Sequence, residues 1–222
     1  MSTTAETWFW TELRLVRERW DVLQHPFYVR WTEGDLNRTE LQVYAEEYEH
    51  LVVALATASR NAAGKAEGLL RDVLAVHAVE EESHVSLWHE FAKATGWCAE
   101  SSWHYGAAPY PDTVECARVW AGDKTRSLAL DLVTLYAIEG SQPAISQTKL
   151  EGLLGRYGFD EGPATEYFSL HAELDRDHAD LAQAALEGLL ESEDPFRLIQ
   201  QAEAVHRGYW HMLDGLEKAA AE

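Results

Sequence analysis

Two short stretches carry imidazoles and carboxylates at helical spacing. In HAELDRDH, His171, Asp175 and His178 stand four and three residues apart. At about 100° per residue, Asp175 lies about 40° to one side of His171 and His178 about 20° to the other. All three therefore project from one stripe, with Glu173 and Asp177 on the far side. HAVEEESH repeats the pattern with His77, Glu81 and His84, while Glu80 and Glu82 point away. A third carboxylate, Glu139 in LYAIEGSQP, stands alone in an apolar run of Leu132, Val133, Leu135, Tyr136, Ala137 and Ile138. A carboxylate there is costly to bury unless it is paired or metal-bound. One such stripe is as well explained by a charged, solvated helix face; three together point to a metal site. Imidazole and carboxylate without thiolate suit iron or manganese, and di-iron bundles are built from Glu and His projecting into the core.

The elements that must position these groups read as helices. Apolar residues recur at three and four, and no run of β-branched alternation is bounded by turns. Helices are expected from about Thr4 to Gln24, and over HPFYVRWTEG, where Pro26 suits a first turn. RTELQVYAEEYEHLVVALATASRNAAG is expected to close at Gly64, and AEGLLRDVLAVHAVEEESHVSLWHEFAKATG at Gly96. WCAESSWHYGAAPYPDT is the main irregular stretch. After it come DTVECARVWAGD, one long helix TRSLALDLVTLYAIEGSQPAISQTKLEGLLGRYG kinked near Pro143, a helix over about Pro163–Glu191, and a last one from about Pro195. No linker rich in Pro, Gly or Ser divides the chain. Residues 1–222 are therefore expected to form one all-α domain, a bundle of about seven helices.

Composition narrows the function. With 38 acidic residues against 18 Lys and Arg, the formal charge is −20, which argues against nucleic acid and anionic membrane surfaces as partners. The N-terminal stretch lacks the basic and apolar regions of a signal peptide, and no apolar run approaches a membrane span. A soluble, cytoplasmic protein is expected. Cys98 and Cys116 fit neither a disulfide framework nor a zinc spacing. The nine Trp are compatible with a homodimer face.

The stretches HPFYVRWTEGDLNRTELQVYAEEY, SHVSLWHEFAKATG, LYAIEGSQPAISQTKLEGL and YFSLHAELDRDHADL resemble the haem-oxygenase-like superfamily, in its non-haem di-iron oxidase branch of the 4-aminobenzoate synthase type. The resemblance implies the haem-oxygenase-like helical fold and two iron ions, or iron plus manganese, held by His84, Glu139, His171, Asp175 and His178. His77 stands where such synthases place a glutamate. Other di-iron members place it three residues before the histidine, a spacing that Glu81 meets. Glu81 is thus the expected carboxylate, with His77 as an alternative ligand or a group behind the ligands. Glu47, in YAEEYEH, matches an extra ligand of some relatives, although a surface carboxylate is the simpler reading.

The same resemblance implies a reaction with O2 and an external reductant. In synthases of this type a tyrosine of the enzyme is thought to be cut out to form the aromatic ring, and a lysine is the proposed amino donor. Tyr28 falls on the sacrificial position, Tyr44 on a second tyrosine beside it, and Lys149 on the lysine. Most of nine tyrosines should simply pack; a lysine near a metal core is harder to explain unless used. On an unbroken helix Lys149 would share a face with Glu139 to within about 80°. The alternatives are a di-iron oxidase acting on a small amino-acid-like or fatty-acid-like substrate, and a non-catalytic binding protein of the same fold. A thiaminase-like hydrolase would need a core cysteine, and a haem oxygenase an axial histidine such as His25.

Overall fold

The computed structural model describes residues 3–97 and 109–220. Among them lie nine α-helices: α1 (Thr3–Arg19), α2 (Pro26–Glu33), α3 (Arg38–Lys65), α4 (Gly68–Thr95), α5 (Pro111–Ala121), α6 (Leu128–Glu139), α7 (Gln142–Gly155), α8 (Pro163–Glu187) and α9 (Pro195–Ala220). No strand occurs among the described residues, so the all-α expectation holds. Most of WCAESSWHYGAAPYPDT, Cys98 included, lies outside the described residues.

Local chemistry sets most helix ends. Asn37 caps α3 in a reciprocal box: its side chain accepts from Glu40 N at 3.0 Å, and its own N–H donates to Glu40 Oε2 at 2.8 Å. His25 caps α2 by accepting from Phe27 N at 3.1 Å, with Pro26 in the first turn. Gly96, at φ +98°, closes α4 where the sequence places it. Gly64, expected to end α3, lies inside its last turn instead, because the chain leaves the helix at extended Ala66.

The long helix expected across Pro143 is two. α6 ends at Glu139 and α7 begins at Gln142, so Pro143 sits in a first turn where its missing N–H is no loss. Gly140 permits the break: a Cβ there would lie 2.8 Å from the Tyr136 carbonyl oxygen. Arg17 Nη1 donates to the Gly140 carbonyl at 3.1 Å and ties α1 to the junction. The angular argument that put Lys149 and Glu139 on one face assumed an unbroken helix and does not apply.

α3 and α4 pack together along their length, and α8 packs against both α4 and α6 on the side that carries the histidines. α2, α7 and α9 close the other side. Between them lies a core dense in aromatics, including Tyr28, Trp31, Tyr44, Tyr48, Trp88, Phe91, Tyr167 and Phe168. Trp88 Nε1 donates to the Ala45 carbonyl and Trp31 Nε1 to that of Lys149, so both buried indoles are satisfied.

Candidate metal centre

α4 brings His77, Glu81 and His84 inward, α8 brings His171, Asp175 and His178, and the last residue of α6 adds Glu139. All seven residues singled out for metal binding converge in one cluster. Six are buried, and the His178 side chain is 11% exposed. Two overlapping groups form, His77–Glu81–Glu139–His178 and Glu81–His84–His171, each with its donor atoms within 4.8 Å of one another. Glu81 belongs to both. Its Oε1 lies 3.3 Å from His84 Nδ1, 3.6 Å from His77 Nε2 and 3.8 Å from His178 Nδ1, while Oε2 lies 4.0 Å from His171 Nε2. Asp175 Oδ1 is 3.8 Å from His178 Nδ1. His77 stands inside the cluster, 2.8 Å from Glu139 Oε1, and Glu81 stands there too.

The hydrogen bonds aim the rings. His171 Nδ1 lies 2.7 Å from the Tyr167 carbonyl, which accepts only from an N–H, so Nε2 carries the lone pair that faces Glu81. Tyr167 also stacks on the His171 ring at 4.0 Å. His178 Nε2 lies 3.4 Å from Glu80 Oε2, leaving Nδ1 turned inward. Glu80 was expected to point away from the stripe; its carboxylate instead reaches across to α8. Glu82 does point away, into an ion pair with Arg60.

The cluster fits a metal by the state of its polar atoms. His77 Nε2, His84 Nδ1, His171 Nε2, His178 Nδ1, Glu81 Oε1 and both oxygens of Glu139 and Asp175 are buried with no hydrogen-bond partner. The short His77–Glu139 approach is off the hydrogen-bond direction. Buried polar atoms are ordinarily paired, so this many converging lone pairs mark a place for a cation. Burial opposes charge on Glu81, but His171, His77 and His84 outweigh it and hold the carboxyl well below its usual range. Burial, reinforced by Glu139 and Glu81, drives Asp175 well above its usual range. Burial would lower His77, yet Glu139 and Glu81 raise it to about 10. Carboxylates crowded this closely cannot all stay ionised without a positive charge among them.

Beside the cluster lies a second constellation. Tyr28 OH is 3.1 Å from Tyr44 OH and 2.5 Å from Tyr209 OH, and Gln142 Nε2 donates to Tyr48 OH at 2.7 Å. Burial raises the pKa values of Tyr28 and Tyr44 well above the ordinary phenol value, keeping both protonated. Lys149 is fully buried, and its Nζ has no hydrogen-bond partner. The ammonium position faces rings on several sides, 4.1 Å from the Tyr48 centroid, 5.5 Å from Tyr44 and 6.0 Å from Tyr28. Burial lowers its pKa well below the ordinary value, with Asp175 opposing. Burial thus disfavours the charged form of Lys149, which stands between the tyrosines and the carboxylate–imidazole cluster.

Other candidates take structural places. His25 is committed at both nitrogens, to Phe27 N and to Asp214 at 3.2 Å, which leaves no axial lone pair for a haem. Glu47 is buried rather than on the surface, and accepts from Tyr110 N at 3.1 Å next to the start of α5. Burial pushes the Cys116 thiol up, and it packs against Gly208. Sequence spacing missed Glu80, Tyr48, Gln142, Tyr167 and Tyr209. Tyr48 and Tyr167 had a usable signal, each lying four residues from a residue already singled out. Glu80 also lies four residues from His84, but its angle on the helix turned it off the stripe; Gln142 and Tyr209 had no signal.

A family model described as iron-containing redox enzyme matches residues 57–216. A 4-aminobenzoate synthase of Chlamydia trachomatis is 31% identical over 93% of this chain and 90% of its own. The 4-aminobenzoate synthase of Nitrosomonas europaea is 28% identical over 89% of this chain and 86% of its own. Among solved structures, a TenA homologue from Pseudomonas syringae superposes with a TM-score of 0.78 at 16% identity, over 95% of this chain and 93% of that one. A TenA homologue from Pyrococcus horikoshii gives 0.70 at 17% identity, over 94% and 97%.

Proposed function

The chain belongs to the family of iron-containing redox enzymes, with a haem-oxygenase-like fold, and from that premise we propose that it is a non-haem di-iron oxidase that makes 4-aminobenzoate from its own Tyr28 and Lys149. One observation carries the specific reading: a buried, unpartnered lysine set among tyrosines beside a carboxylate–imidazole cluster. Structural lysines are exposed or paired; this one is neither. The curated relatives bear the name of that product, which supports the same reading.

His77, Glu81, Glu139 and His178 would hold one ion, and Glu81, His84 and His171 the other, with Asp175 beside His178 of the first group. Iron held there would supply the electrons for reduction of O2, which an external reductant would restore, and manganese in one position would keep the same donors. The chain's own groups do the rest. Tyr44 and Tyr209 hold the Tyr28 phenol by its oxygen and fix the ring. The aromatic core excludes water around it. Burial keeps the Lys149 lone pair free, so that Nζ can act as the nitrogen nucleophile. Tyr28 contributes the ring and its Cβ, which is oxidised to the carboxylate as the Cα–Cβ bond breaks. Lys149 Nζ replaces the phenol oxygen, which leaves as water, and the Nζ–Cε bond breaks to leave Cε as an aldehyde. O2 with the external reductant is the oxidant.

The test is intact-protein mass spectrometry after aerobic incubation with ferrous iron and a reductant. Loss of the Tyr28 side chain, together with 4-aminobenzoate in solution, is expected. If Tyr28→Phe and Lys149→Ala both still yield 4-aminobenzoate, the self-sacrificing reading is wrong. A protein that binds neither iron nor manganese after anaerobic reconstitution would remove the oxidase reading as well.

A further inference from the structure

A cleft opens beside the tyrosines. Its cavity volume is about 300 Å³, the low end of small-molecule sites. It lies between the C-terminal end of α1, the α6–α7 junction, Trp120 of α5 and the middle of α9. Its walls include Trp20, Trp120, Ile138 and Ile145, and its inner end is formed by Tyr209 and Gln142. Tyr209 is the residue whose hydroxyl lies 2.5 Å from that of Tyr28, and Gln142 is the donor to Tyr48. The cleft thus reaches from the surface to the two residues whose side chains contact the Tyr28 and Tyr48 hydroxyls.

The polar groups at its two ends differ in kind. Arg17 lies at the outer end. Its neighbours on α1, Arg14 and Arg19, are ion-paired with Glu18 and Glu203, whereas Arg17 has no acidic partner among the described residues and donates only to the Gly140 carbonyl. The acids that line the cleft are occupied: Glu18 by Arg14, and Asp21 by the Leu23 amide at 3.1 Å. Burial, with Arg17 adding to it, lowers His206 to about 4 and keeps it neutral. Arg17 is therefore the cleft's one basic side chain with no acidic partner among the described residues, in a chain whose net charge of −20 otherwise repels anions. At the inner end, Gln142 is 2% exposed and its Oε1 is buried without a donor. An orphaned carbonyl oxygen calls for an N–H.

We propose that this cleft is the binding site and exit port for the reaction product, a small aromatic carboxylate bearing an amine at its far end. Arg17 pairs with the carboxylate, Trp20 and Trp120 flank the ring, and Gln142 Oε1 accepts from the amine. Tyr209 separates this site from Tyr28, so product leaves past Tyr209 into the cleft. The assignment rests on the synthase reading for the identity of the ligand and not on turnover.

The test is equilibrium binding of 4-aminobenzoate to the full-length, iron-free protein without O2, followed by tryptophan fluorescence and checked by dialysis. Saturable binding is expected. Arg17→Gln should weaken it about tenfold, the loss of one charge-assisted contact. Ala144→Trp, an exposed substitution that fills the mouth, should abolish it, and benzoate, lacking the amine, should bind more weakly than 4-aminobenzoate. Absence of binding, or unchanged affinity in both variants, overturns the cleft; equal affinity for benzoate overturns the role of Gln142. Binding that behaves as expected in a protein that yields no 4-aminobenzoate would refute the synthase reading and leave the cleft standing.

Discussion

Replacing Lys149 by methionine should stabilise the iron-free protein. Methionine keeps the length and most of the volume of the side chain, so the packing among Tyr48, Tyr44 and Trp88 survives. What is removed is a fully buried amine with no hydrogen-bond partner, a group whose desolvation costs about 1–3 kcal/mol. The ring faces offset part of that for a charged lysine, by up to about 2 kcal/mol when desolvated. Burying an unpaired ammonium costs several kcal/mol, so burial favours the neutral form, the direction in which the pKa is lowered. The proton balance adds a pH signature. Unfolded, the lysine binds a proton below about 10.4; folded, it binds one only well below that. As pH falls from 10.4 toward the folded value, the unfolded wild type takes up a proton the native state refuses, and wild-type stability is lost. The gain of Lys149→Met is therefore expected to be about 1–3 kcal/mol near pH 10.4 and larger at pH 7. For a chain of this size each kcal/mol raises the melting temperature by about 2–4 °C. Urea unfolding of both proteins at the two pH values measures it. A variant less stable than wild type at pH 7, or a difference that does not grow as pH falls, would show that Lys149 is charged and paired, and would remove the neutral nucleophile from the proposed chemistry.

Other outcomes follow from single contacts. Glu80→Ala should weaken ferrous iron binding by about 10- to 100-fold in anaerobic titration while leaving circular dichroism unchanged, because His178 loses the carboxylate that orients its inward nitrogen. Ferrous iron at about 100 times its dissociation constant should stabilise the protein by about 2.7 kcal/mol, seen as a rise in melting temperature that chelator reverses; no rise would mean the buried donors do not bind it. Tyr209→Phe removes the 2.5 Å contact to Tyr28 and should lower stability by about 1 kcal/mol, with slower loss of the Tyr28 side chain by mass spectrometry. Gly152→Ala would drive a Cβ into the Trp31 indole and should destabilise by about 1–3 kcal/mol in urea unfolding, without altering the iron stoichiometry.

The amino-acid order by itself determined the all-helical architecture, most helix ends and the two faces that carry histidines and carboxylates. Local forces set them: apolar spacing at three and four selects helix, Asn37, Pro26 and Gly96 fix ends, and i, i+4, i+7 spacing puts His171, Asp175 and His178 on one stripe whatever they meet. Only the tertiary structure decided what those stripes face. That His77 and Glu81 both stand with Glu139 depends on where α6 breaks, and the break depends on the close approach of Gly140 to the Tyr136 carbonyl rather than on Pro143. Glu80 reads as a solvent residue until α8 is laid beside α4 and His178 comes within reach. Tyr209 lies 181 residues from Tyr28, and Gln142 lies 94 from Tyr48, separations over which no periodicity carries information. Helical register is a property of neighbours a few bonds apart. Meeting across a core is a property of the whole packing, which is why the donor set could be read from the chain and the second constellation of tyrosines, lysine and cleft could not.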